Sequence, residues 1–205
     1  MKNENSDTQE TEAQKKADTH YEIHPLIAHR WSPRVFAEKA VEPEKLYQVF
    51  EAARWAASSN NGQPWRFMFA KKGSESYDEI FDHLSDFNKK WCANAPVLML
   101  TAYKKHFDNG KENFHALHDL GLAMGNLSIQ AQSLGLAVHS MAGVNWQKAH
   151  KTYNVPEGYH ISTAVAIGYY GGNTSVLPAD LEKSEVGERK RINQKKFVGH
   201  EEWTF

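Results

Sequence analysis

Two short runs far apart in the chain combine arginine with other anion-binding chemistry. The first is Arg30-x-Ser32-x-Arg34, with Pro33 fixing the backbone between the last two. The second is Arg189-Lys190-Arg191. Guanidinium groups hold phosphate through bidentate, charge-assisted hydrogen bonds, and a hydroxyl between two arginines adds a neutral donor. On charge alone, surface ion pairing with nearby glutamates is the simpler reading. A third run, Ser58-Ser59-Asn60-Asn61-Gly62-Gln63-Pro64-Trp65, is different. Amides both donate and accept, so Asn60, Asn61 and Gln63 can match the alternating polar edge of a flat heterocycle. Together the three runs point to a phosphorylated heterocycle. The chain has no Gly-x-Gly-x-x-Gly following a strand, no P-loop and no Gly-x-Ser-x-Gly elbow.

Other reactive residues fit no constellation of their own. His115 and His118 have the i, i+3 spacing of helical metal ligands, but no second pair of His or Cys accompanies them, and Asp119 falls elsewhere on the helical wheel. No metal site is expected. Cys92 is the single cysteine, so no internal disulfide can form; it reads as an inert packed thiol in a reducing, cytoplasmic compartment. A formal net charge of −1 gives no reason to expect nucleic acid as a partner. No apolar run approaches the roughly 20 residues of a membrane span, and no apolar signal region opens the chain.

The elements that must position these residues follow from periodicity. With 205 residues, 40% of them hydrophobic, one domain is expected. Residues 1–19 contain no Val, Ile, Leu or aromatic side chain and read as a mobile, disordered tail; the folded domain spans 20–205. Pro25 and Pro43 suit helix first turns, and Leu46, Val49, Phe50, Ala53 and Ala57 mark one buried helical face. "WRFMFAKK" reads as a strand and "ESYDEIFDHLSDF" as one helix through Ile80, Phe81, Leu84 and Phe87. "APVLMLTAY" and "ISTAVAIGYY" read as strands buried on both faces, and "AVHSM" as a short strand. The longest helical pattern, "NFHALHDLGLAMGNLSIQAQSLGL", is apolar on most faces and ends at Gly135; such a helix needs cover on all sides, and Gly121 and Gly125 allow close approach. Asn145 caps a short helix. The charged last stretch closes on Trp203 and Phe205, which suggests docking. The pattern is a three-layer α/β or α+β domain with a mixed sheet.

From Pro25 to Trp203 the chain resembles the flavin-dependent nitroreductase family, in its branch of short proteins. The resemblance rests on "HPLIAHRWSPRVF", "EAARWAASSNNGQPWRF", "NKKWCANAPVLML", "HALHDLGLAMGNLSIQAQSLGL", "MAGV" and "ERKRINQKKFVGHEEW", in that order. It implies an α+β, α/β/α fold with a mostly antiparallel central sheet, in a domain-exchanged homodimer whose tail from about residue 180 packs on the partner. It also implies bound FMN reduced by NAD(P)H, and a small-molecule electron acceptor such as a nitroaromatic or a quinone. Arg30, Ser32 and Arg34 would hold the FMN phosphate and ribityl chain, and Arg189 and Arg191 would close over the phosphate. Ser58, Ser59, Asn61 and Gln63 would line the flavin, partly across the subunit boundary. Asn88 would bond ribityl or ring polar atoms, and the backbone N–H groups of Ala142 and Gly143 would face the ring. Arg34 is the first candidate for a cation beside the ring and Lys90 the second, while Trp65 anchors its loop in the core. His115 and His118 are candidates for orienting or protonating the acceptor; no side chain need act as nucleophile. Reductive dehalogenation, enal or flavin reduction, and non-catalytic flavin binding are the alternatives on the same fold. Two departures stand out: Val144 replaces a common phenylalanine, and "INQ" follows the second arginine pair where Lys-Pro-Leu is usual.

Overall fold

A computed structural model describes residues 15–203. The elements are α1 (Pro25–His29), α2 (Pro43–Arg54), β1 (Trp65–Lys71), α3 (Glu75–Asp82), α4 (Asp86–Cys92), β2 (Val97–Lys104), α5 (Ala116–Ser133), β3 (Leu136–Met141), α6 (Trp146–Thr152), β4 (Tyr159–Tyr169) and α7 (Ala179–Val186). The strands form one sheet in the order β1-β2-β4-β3. Every pairing among the described residues is antiparallel, so the sheet that the sequence suggested was mixed is antiparallel throughout within the chain.

Alternation along β2 and β4 supplies two cores. Val97, Met99, Val165 and Ile167 pack against Leu46, Val49 and Ala53 of α2 and against Leu120, Ala123, Leu127 and Ala131 of α5. Leu98, Leu100, Ala164 and Ala166 face the other way, onto Tyr77 and Ile80 of α3, Trp91 and Cys92 of α4 and Ala149 of α6. Period-two side-chain direction in the stretches 97–100 and 164–167, apolar at every position, produces three layers, helices over both faces of the sheet. The register shifts once, between Thr101 and Ala102, where the Thr101 and Thr163 hydroxyls lie 2.7 Å apart.

Three expectations need correction. The single helix expected over 75–87 is broken. Leu84 pairs with Val144 in an isolated antiparallel bridge; the Ser85 N–H donates to the Gly143 carbonyl at 2.9 Å and the Asn145 N–H to the His83 carbonyl at 2.7 Å. Ser85 then caps α4 by accepting from the Asn88 N–H. The tail does not extend to residue 19. Lys15 is buried, and the Ala17 N–H donates to the Ala28 carbonyl at 2.9 Å; residues 1–14 and Phe205 lie outside the described residues. The long helix begins at Ala116, with His115 at its N-cap. Its outer strip, Leu117 and Leu122 with Gly121 and Gly125, is exposed, and the two glycines face open space. Trp65 is buried in the α2/α5 core as expected. Among the described residues no helix is long and apolar enough to cross a membrane.

Leu127 is fully buried where α5 meets the sheet. Leu127→Ala is expected to lower unfolding free energy in urea by about 2–5 kcal/mol, through lost burial and the cavity left behind. A loss below about 1 kcal/mol would contradict this placement.

Candidate functional site

The first half of the site lies along the β3 edge. Helix α1 ends at His29, and Arg30 leaves it in extended conformation (φ −64°, ψ 124°). Pro33 biases Ser32, the residue before it, toward extended backbone, and the segment meets β3 where His139 Nδ1 lies 2.7 Å from the Pro33 carbonyl. Arg30 Nη1 donates to Ser32 Oγ at 3.3 Å. The N–H groups of Arg34 and Val35 donate to Glu185 Oε1 at 2.7 and 3.3 Å. The Arg34 guanidinium sits 3.6 Å from Glu185 Oε2, and its Nε is buried without a hydrogen-bond partner. Arg189 arrives from beyond α7, and its Nη1 donates to the carbonyls of Lys15 and Ala28 at 2.8 and 2.9 Å. Arg191 Nη1 turns back onto the Lys190 carbonyl at 2.8 Å.

The electrostatics of this cluster are one-sided. Burial lowers the pKa of Arg189, and the charges of Arg30 and Arg191 lower it further. Lys15 is lowered by burial first, then by Arg189 and Arg34, while Glu185 opposes the shift. Glu185 is itself pushed up by burial, against the two backbone N–H groups and the charges of Arg34 and Lys15. One buried carboxylate among Lys15, Arg30, Arg34, Arg189 and Arg191 leaves the cluster with an excess of positive charge. That donor set fits a dianionic phosphate.

Next to it sits a backbone-lined corner. Asn88 is buried, and its Nδ2 donates to the Gly143 carbonyl at 3.0 Å. A Cβ at Gly143 would lie inside contact with Ser85 Oγ and 2.8 Å from Asn88 Nδ2, so only glycine brings the chain this close. Ala142 is exposed beside it, and Lys90 is exposed on α4. The 30–35 segment meets β3 at His139, Ala142 and Gly143 follow directly on the end of β3, and Asn88 is bonded to Gly143. A corner of close-packed backbone beside a cationic cluster fits a flat, phosphate-bearing cofactor.

The amide loop is elsewhere. Asn60, Asn61 and Gln63 have φ of 50°, 53° and 43°, the left-handed region that asparagine tolerates best among non-glycine residues. Local bonds hold this shape. The Ser59 N–H donates to Asp119 Oδ2 at 3.0 Å, the Gln63 N–H to Ser58 Oγ at 3.1 Å, and Gln63 Nε2 to the Asn61 carbonyl at 3.1 Å. Asp119 is buried, with Oδ1 3.2 Å from His118 Nδ1; the helical-wheel expectation that it points away from this histidine is corrected. His115 is exposed. The loop is fastened at Asp119, near the start of α5. The arginine half is fastened at Gln132, near its end, where the Tyr170 hydroxyl donates to Gln132 Oε1 at 2.6 Å and accepts from the Trp31 N–H at 3.4 Å. Those two points are thirteen residues apart on one helix, roughly 20 Å. Within one chain the two halves are not brought together.

The nitroreductase family model matches residues 27–90 and 71–169. The chain belongs to the nitroreductase family. It is 24% identical over 198 residues to an FMN reductase [NAD(P)H] of Bacillus subtilis, a match covering 87% of this chain and 77% of that one. It superposes on the crystal structure of an oxidoreductase containing FMN with a TM-score of 0.86 and 33% identity, covering 91% of this chain and 96% of that one. A nitroreductase family protein from Clostridium difficile shares the fold, with a TM-score of 0.67 and 22% identity over 87% of this chain and 97% of that one.

Lys15, Asp119, His139 and Glu185 were not foreseen as site residues. Only Asp119 carried a usable signal, an acid in the first turn of the longest helix, where it can reach loop N–H groups. His139 packs against Trp91 at 4.4 Å between ring centroids. Burial, helped by the charges of Arg34 and Arg30, pushes its pKa from the ordinary 6.5 down to about 4, against the raising effect of the Pro33 carbonyl. Facing a carbonyl, Nδ1 carries the proton of the neutral ring. The unfolded chain takes up a proton below pH 6.5 that the folded chain refuses until about pH 4. Stability is therefore fully present above pH 6.5 and falls by about 3 kcal/mol as pH drops to 4. Urea unfolding at pH 7, 5 and 4 is expected to show this slope, and His139→Gln is expected to flatten it. Equal slopes for the two proteins would contradict the assignment.

Proposed function

We propose that the chain is an FMN-dependent oxidoreductase that takes reducing equivalents from NAD(P)H and delivers them, by alternate occupation of one site, to small electron-poor acceptors such as nitroaromatics and quinones. The observation that carries this is the cationic cluster beside the Asn88–Gly143 corner. The FMN-containing structure and the B. subtilis FMN reductase support the choice of cofactor. Arg30, Ser32, Arg34, Arg189 and Arg191 would hold the phosphate and ribityl chain. Asn88, Ala142 and Gly143 would meet the polar edge of the ring system. When bound, FMN supplies the hydride chemistry, accepting from the nicotinamide and passing on to the acceptor.

The protein contributes position and charge. Arg34, its backbone held by Glu185, places a fixed positive charge at the β3 edge. A homodimer completes the site: the exposed apolar strip of α5 supplies a face for a second copy, whose Ser58, Ser59, Asn61 and Gln63 would close over the ring. His115 and His118, at the loop end of α5, would then stand over the acceptor and orient it. No side chain acts as nucleophile, and stacking distance and orientation set the rate. The buried Cys92, its thiol pushed up to about 12 by burial, takes no part and is compatible with a reducing, cytoplasmic setting.

The purified protein is expected to be yellow and to oxidise NAD(P)H when menadione is added. Arg30→Ala is expected to weaken FMN binding about 10–100-fold, the loss of one charge-assisted contact. Its apoprotein should unfold within about 0.5 kcal/mol of the parent. Fluorescence titration of apoprotein with FMN measures the first and urea unfolding the second. A colourless protein that cannot be reconstituted with FMN would contradict the proposal.

A further inference from the structure

Lys15 lies before the first helix in a stretch without large apolar side chains, yet only 3% of it is exposed. Its Nζ donates to the carbonyls of Ser184, at 3.2 Å, and Gly187, both at the C-terminal end of α7. Helix ends leave such carbonyls without intrahelical donors, and a lysine ammonium satisfies them and the helix dipole together. The same ammonium sits 4.9 Å from the centre of the Trp31 ring. The backbone of Lys15 is used as well, since its carbonyl accepts from Arg189 Nη1, which also donates to Ala28. The Ala17 N–H reaches that same Ala28 carbonyl at 2.9 Å.

These contacts form a closed loop around Arg189. Its chain leaves α7 through Gly187, which Lys15 Nζ holds, and its guanidinium returns to the Lys15 carbonyl. One Nη is thereby committed to two backbone carbonyls. The charges of Arg30 and Arg191 act on the same guanidinium. A guanidinium pressed toward other cations swings out to water unless something fixes it.

We propose that Lys15 is a positioning residue of the phosphate-binding cluster: it fixes the end of α7 and the Arg189 fork so that Arg189 converges with Arg30 and Arg34 on a phosphomonoester. The inference rests on the FMN reading above and adds to it a residue that acts through Arg189. It predicts that Lys15 acts on the phosphate end of the cofactor and not on the ring.

The test uses the full chain with Lys15→Met, which keeps the aliphatic stem over Trp31 and removes the charge and donors, and Lys15→Arg, which restores both. FMN and riboflavin, which lacks only the phosphate, are titrated into each apoprotein, and amide exchange is followed over residues 187–191. Lys15→Met is expected to weaken FMN binding about tenfold while riboflavin stays within about twofold. Exchange over 187–191 is expected to quicken at least roughly tenfold. Lys15→Arg is expected to bring FMN affinity back to within about threefold of the parent. Unchanged exchange overturns the proposal, as does an equal loss for both flavins, which marks general loosening. A parent protein that binds FMN no better than riboflavin overturns the phosphate assignment itself and this inference with it.

Discussion

Where a sheet is buried on both faces, a ligand is left with its edges, its strand ends and whatever stretch the helices do not cover. Residues 97–100 of β2 and 164–167 of β4 are apolar throughout, and helices cover them on both sides. That constraint decides where chemistry can happen in this fold. The arginines, Asn88 and Gly143 gather at the β3 edge, and the amide loop sits ahead of β1 at the opposite edge. The helix that packs across one face, α5, keeps the two groups roughly 20 Å apart. On the proposed reading, a second copy seated on the exposed apolar strip of α5 would supply the missing half.

The positive half is organised around one buried carboxylate. Glu185 is fully buried, accepts two backbone N–H groups of the Arg34–Val35 segment and faces the Arg34 guanidinium. A buried charge without partners is costly, so its place among several cations is a matched pair of constraints. The carboxylate tolerates burial because the cations are there, and the cations stay converged because it holds the backbone beneath them. Phosphate binding needs that preorganisation more than it needs raw charge.

Much of the fold was legible because period-two and period-3.6 patterns report burial directly. The apolar runs of β2 and β4, the Pro43 helix start and the Asn145 cap fell where periodicity placed them. The break between α3 and α4 was not legible. Phe81, Leu84 and Phe87 continue a helical spacing, and only the pairing of residues 83–85 with 143–145, sixty residues away, stops it. The burial of Lys15 escaped for the opposite reason: composition measures apolar surface, and this segment is held by charge-assisted bonds to carbonyls. In the site, the residue types were readable and their distances were not. Ser58 to Gln63 and the arginines looked like one binding set in the sequence, and three dimensions separate them.

The central claim is that a complete site needs the arginine half of one chain and the amide loop of another, and mixing two disabled chains tests it most directly. One carries Arg30→Ala and Arg34→Ala, the other Asn61→Ala and Gln63→Ala, and each alone should bind FMN poorly. Unfolded together and refolded as an equal mixture, they should recover about a quarter of the parent's tight FMN sites, since half of randomly paired dimers are mixed and each mixed dimer holds one intact site. Recovery near zero, with both chains folded and paired, would contradict the two-chain site.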